Sequence, residues 1–120
     1  MSTEDNKAFV RRYLAALSGN AKPVSLVNEY VGDAKLRQHI AAMEAAFPRY
    51  DLAAEDLIAE EDRVVVRTTL RGTHCGAFMG TAPTGRTVAV PAVLMYRIAD
   101  GKIVDSWFTA DMLGLLYQLG

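Results

Sequence analysis

Apolar residues are spaced in two ways along this chain. In the first part they recur at helical intervals. Phe9, Val10, Tyr13, Leu14 and Leu17 make one stripe, Val24, Val27, Tyr30 and Val31 a second, and Leu36, Ile40, Met43 and Phe47 a third. Spacing of three and four places such side chains on one side of a helix. The punctuation agrees. Ser2, Thr3 and Asp5 are candidate N-caps for the first helix, and Ser18-Gly19-Asn20 stops it. Pro23 fits the first turn of the second helix, Gly32 ends it, Asp33 caps the third and Pro48 closes it.

From residue 50 the period shortens to two. Leu52, Ala54 and Ile58 predict a first strand, and Glu60 and Glu61 a polar turn. Residues 63–74 are rich in β-branched side chains and read as a second strand, with Val64, Val66, Thr68, Leu70 and His74 on one face and Arg67, Thr69 and Arg71 on the other. The stretch GAFMGTAPTG, residues 76–85, holds three glycines and a proline and reads as a loop. RTVAVPAVLMYRI follows as a long apolar strand in which Pro91 predicts a bulge or an edge. Asp100-Gly101 is a hairpin signal, because both central positions of a two-residue turn need positive φ. The last strand runs from Lys102 to about Ala110. Strict alternation sets Ile103, Asp105, Trp107, Thr109 and Asp111 on one face. Met112, Leu115, Leu116 and Leu119 then return to helical spacing, so Asp111 marks the handover.

Three helices followed by an antiparallel meander give an α+β domain spanning residues 1–120. A sheet curved around helices leaves a cone-shaped apolar cavity, a common site for a small molecule. Composition narrows the partners. The formal net charge is −1 with both signs interspersed, so no basic stripe calls for nucleic acid. No apolar run reaches membrane-spanning length, and the polar start MSTEDNK is unlike a secretory signal. The single cysteine, Cys75, rules out an internal disulfide and points to a reducing, cytoplasmic setting.

The chemistry concentrates near the C-terminus. Asp111 is an acid among Trp107, Phe108, Met112 and Leu113, and burial there raises a carboxyl pKa toward working pH, suiting it to proton transfer. The plainer role for Asp111 is a helix N-cap. His74 is a second proton-carrier candidate, with backbone bonding as its structural alternative. Tyr13, Trp107, Met95 and Phe9 are candidate ligand contacts, and His39 reads as solvated on the third helix. Two separated histidines and one cysteine argue against a metal site, and the glycine-rich loop lacks the lysine of a phosphate cradle. No cofactor is expected.

Several runs together resemble the SnoaL-like polyketide cyclase family, within the nuclear transport factor 2-like superfamily. They are Gly72-Thr73-His74 with Gly76 and Gly80, Pro83-Thr84-Gly85-Arg86, Tyr96-Arg97, Asp100 to Val104, Trp107, Asp111 and Gln118-Leu119-Gly120. Ala46-Phe47-Pro48 and Asp56 to Ala59 match as well. The resemblance implies an α+β cone with a deep pocket, often a homodimer, and a cofactor-free aldol closure in which an aspartate matching Asp111 is the acid/base. Ser106 stands where the family often has a histidine, and residues 86–98 contain none. The expected activity is acid/base chemistry on a hydrophobic, carbonyl-bearing small molecule. The alternatives are a dehydratase, isomerase or epoxide hydrolase using the same pocket, or a non-catalytic binding or dimerisation domain. A homodimer is expected because strand 86–98 is apolar on both faces.

Overall fold

The computed structural model describes residues 2–120. In chain order they form α1 (Thr3–Leu17), α2 (Val24–Tyr30), α3 (Ala34–Ala46), β1 (Asp51–Glu60), β2 (Arg63–Thr73), β3 (Thr87–Ala99), β4 (Lys102–Ala110) and α4 (Met112–Leu119). The four strands make one antiparallel sheet in sequential order.

Helix ends follow their local chemistry. The Ser2 hydroxyl accepts from the Asp5 N–H, and the Asp5 carboxylate accepts from the Ser2 N–H, a reciprocal capping box. Asp33 caps α3 by accepting from the Lys35 N–H. Pro23 is itself the N-cap of α2, one position before the first turn. Carbonyls of Asn28 and Glu29 at the end of α2 accept from the Lys102 ammonium. The Gly32 N–H donates to the Ile103 carbonyl at 2.8 Å, so the α2–α3 junction is fastened to β4.

Two bulges decide which side chains face the helices. The β1–β2 register shifts between Ala54 and Asp56, leaving Glu55 unpaired. Leu57 therefore joins Leu52 and Ala54 against the core, while Ile58, expected inside, is 65% exposed. The second bulge is in β4, where Ile103 pairs with Ile98 but Asp105 pairs with Arg97, so Val104 is the extra residue. One extra residue inverts the alternation beyond it. Ser106, Phe108 and Ala110, opposite Tyr96, Leu94 and Ala92, thus take the concave face, and Asp105, Trp107 and Thr109 take the convex one. This reverses the face assignment that strict alternation gives.

Pro91 makes no bulge. β3 pairs with β2 without interruption, Thr69 lying opposite Pro91. The Pro91 carbonyl accepts from the Asp111 N–H at 3.1 Å, and the Asp111 carbonyl is already taken by the Leu115 N–H at 3.0 Å. The ladder on that side has turned into α4, so the N–H that proline lacks has no acceptor waiting, which is an edge placement. Further along this edge the Gln118 side chain replaces a strand. Its Oε1 accepts from the Ala89 N–H at 2.8 Å and its Nε2 donates to the Ala89 carbonyl at 2.9 Å.

The core has two parts. One lies under α1, α2 and the first turns of α3, around Val10, Tyr13, Leu14, Val64, Val66 and Ile103. The other gathers the end of α3, β3 and α4, around Met43, Phe47, Val88, Val90 and Leu115. Among the described residues no helix is long and apolar enough to cross a membrane.

Candidate functional site

Residues of both core clusters wall a cavity of about 450 Å³ inside the cone. Leu36, Ile40, Met43, Leu70, Val90 and Leu94 supply much of its apolar wall. Such a volume fits a ligand of a few rings. Three tyrosines interrupt the hydrocarbon: Tyr13 from α1, Tyr50 from the α3–β1 connection and Tyr96 from β3, each no more than 3% exposed. Tyr13 and Tyr96 meet edge to face, their ring centroids 5.6 Å apart. Burial, and the proximity of the other phenols, raises all three pKa values far above the usual tyrosine range. Behind Tyr50 lies the buried Lys22 ammonium, 4.0 Å from the ring centroid and ion-paired with Glu44 at 2.9 Å.

The outer wall carries His39 and Ser106. His39, expected in solvent, is half-buried on α3 and stacks on Phe108 with centroids 4.5 Å apart. Desolvation lowers its pKa from 6.5, which favours a neutral imidazole at pH 7. The Ser106 hydroxyl donates to Asp33 Oδ2 at 3.0 Å. Asp33 is held in turn by its cap at the Lys35 N–H.

The other sequence candidates are placed differently. Asp111 is exposed and caps α4, accepting from the Gly114 N–H at 2.9 Å; it does not line the cavity, although Ala110 and Met112 on either side do. The apolar burial expected of it is absent because the Val104 bulge turns its side of β4 outward. A Cβ on Gly114 would collide with the Asp111 carboxylate, so the glycine leaves room for the cap. His74 is completely buried but outside the cavity wall, its ring beside Phe47. Its Nδ1 accepts from the Thr84 N–H at 3.1 Å, and its backbone bonds Gly85 and Arg86, which closes the base of the glycine-rich loop. That loop reaches the cavity through Ala77, Phe78 and Met79. Gly76 lets it lie against α3, because any Cβ there would strike the Ala45 carbonyl.

Of the expected ligand contacts, Tyr13 lines the cavity and Trp107 borders it while 41% exposed. Met95 sits on the convex face opposite Trp107. Phe9 is 7% exposed in the α1 core against Tyr30, away from the cavity. Sequence reasoning missed Tyr50, Tyr96, Ser106 and His39. Tyr96 shares parity with Leu94 and Ala92, a signal that was available; His39 lies one residue before the core position Ile40, also a usable hint. No three His, Cys, Asp or Glu side chains converge as a metal site among the described residues.

A cone of this kind, with helices closing a curved antiparallel sheet over an apolar cavity, is the nuclear transport factor 2-like fold. The SnoaL-like polyketide cyclase family matches residues 3–119, and the chain belongs to that family. AclR from Streptomyces galilaeus, a proposed hydroxylase, is similar over 99% of this chain and 83% of its own, with 31% identity and a TM-score of 0.84. TsrD from Streptomyces laurentii is similar over 100% and 98%, with 25% identity and a TM-score of 0.79. A SnoaL-like polyketide cyclase from Agrobacterium tumefaciens shares the fold over 100% of both chains at 22% identity and a TM-score of 0.79. No curated protein matches the chain.

Proposed function

We propose that this protein takes a hydrophobic, carbonyl-bearing small molecule into the cavity and moves a proton on it without a cofactor, as in a SnoaL-like cyclase. The observation that carries the reading is an apolar chamber of about 450 Å³ with a titratable group, His39, in its wall. Ring closure, dehydration and isomerisation share the removal of a proton α to a carbonyl. Family membership does not choose among them, since one similar protein is a proposed hydroxylase. In this reading Asp111 releases the Gly114 N–H and turns toward the mouth between Ala110 and Met112 as the acid/base. His74 contributes indirectly, by fixing the loop that carries Phe78 and Met79. In this reading the protein works as a cytoplasmic homodimer.

A second reading has an observation of its own. Asp111 already serves as a cap, with its carboxylate bonded to a backbone N–H and away from the cavity wall, which favours a binding module without catalysis. Thermal shift with a panel of aromatic, polyketide-like ketones addresses both. A ligand at a hundred times its Kd adds about 2.7 kcal/mol of stability, readily visible as a rise in Tm. For a ketone that also turns over, Asp111→Asn is expected to lower the rate by about two to four orders of magnitude. Stability should change by less than about 1 kcal/mol, because asparagine caps nearly as well. Undiminished turnover removes Asp111 from the chemistry; binding without turnover across the panel leaves the second reading.

A further inference from the structure

The tyrosines of the cavity have a property that packing alone does not require. Each adds a phenol to a wall that is otherwise hydrocarbon except for His39 and Ser106 on its outer side, and among the described residues none of the three makes a regular hydrogen bond to a carboxylate or a main-chain carbonyl. The polar groups they sense are chiefly one another: Tyr13 faces Tyr96, Tyr96 senses Tyr50, and Tyr50 senses Tyr13 and Glu44. The Tyr13 and Tyr96 hydroxyls are close enough to bond each other, and such a pair uses one of its two protons and leaves the other to donate. The three come from separate elements, α1, the α3–β1 connection and β3, so their convergence is a property of the folded cone.

We propose that Tyr13, Tyr50 and Tyr96 form the subsite that receives the carbonyl oxygen of the ligand. This rests on the reading of the cavity as a binding chamber and adds the direction in which the ligand lies. The phenols stay protonated because burial opposes their ionisation, so they act as O–H donors. A carbonyl oxygen offers two lone pairs and no proton, which suits a cluster of donors. The ligand body then occupies the hydrocarbon wall between Leu36, Ile40 and Leu94. The end remote from the carbonyl lies toward His39 and Ser106. The ligand class is therefore a compact ring system with a ketone or quinone oxygen at the leading end. A charged carboxylate is disfavoured, since Lys22, the buried cation beside Tyr50, is already neutralised by Glu44.

A matched pair of probes tests this: 1-tetralone and its hydrocarbon counterpart tetralin, titrated calorimetrically into the protein and its variants. The wild type should bind the ketone about five to ten times more tightly, the advantage of one well-made neutral hydrogen bond. The infrared carbonyl band of bound tetralone should lie below its position in hexane. Tyr13→Phe and Tyr96→Phe should each reduce the advantage, and the triple Tyr→Phe protein should bind both probes alike with the band restored. Tetralin binding by that triple variant shows that the chamber is intact. Equal binding of the two probes by the wild type, or an advantage that survives all three substitutions, overturns the subsite while leaving the chamber. Failure of both probes to bind the wild type overturns the chamber reading and the subsite with it.

Discussion

His39 shows most clearly how position gives a side chain its chemistry. It sits one step along α3 from buried Ile40, and the stack on Phe108 holds its ring at the rim of the cavity. Its folded pKa lies below 6.5, so the unfolded chain takes up the proton first as pH falls. Stability should therefore decline as pH drops below about 6.5 and level off once the folded form also protonates. His39→Gln should flatten that part of the curve, measured by urea unfolding between pH 5 and 8. An apolar ligand that covers the ring should bind more weakly in the same acid range in the wild type but not in the variant. Unchanged pH dependence in His39→Gln would assign the effect to another group. Caps were readable at this scale: Ser2 and Asp33 do what their residue types favour. Asp111 was readable only as an alternative. Its apolar neighbours in sequence lie on opposite faces of the chain in space, so sequence proximity did not become burial.

At the scale of elements, helices and strands were legible because their periods differ, and the hairpin at Asp100-Gly101 follows from residues that tolerate φ of 52° and 72°. The bulges were not legible. Neither Glu55 nor Val104 is a glycine or proline, and each is extra only because its partner strand is one residue shorter there. This is the physical reason why the inner face of β4 was misassigned, and with it Trp107, Phe108 and Asp111. Deleting Val104 should test it directly. Without it Ile103 still lies opposite Ile98 and Asp105 opposite Arg97, so the shortened strand alternates regularly and Ser106, Phe108 and Ala110 stay inside. Cooperative thermal unfolding should survive, with Tm lowered by less than about 10 °C, the scale of about two kcal/mol in a domain of this size. Loss of cooperative unfolding in the deletion variant would mean that Val104 is not the extra residue.

At the scale of the whole molecule, the convex face of the sheet remains uncovered. Val93 is 46% exposed and Trp107 41%, with Met95, two residues on from Val93 in β3 and opposite Trp107, half-buried. The proposed homodimer buries this face. Val93→Glu should then shift the protein to monomer in sedimentation at tens of micromolar, while the far-UV spectrum stays unchanged. A wild type that sediments as a monomer at that concentration removes the dimer. The cone was foreseeable from the order of elements. The tyrosine end of the cavity was not, because it unites residues as far apart as Tyr13 and Tyr96. Gln118 bears on how copies of the chain avoid one another. Where β4 ends, β3 runs on from Thr87 to Val90 with one edge free, and the glutamine amide occupies the two backbone groups of Ala89. An open apolar edge of that kind is a template for strand addition by another chain. Gln118→Ala should leave the edge bare, so that light scattering of warmed samples rises earlier than in the wild type. That outcome would make the last helix the guard of the sheet edge, and scattering unchanged by the substitution would remove it from that role.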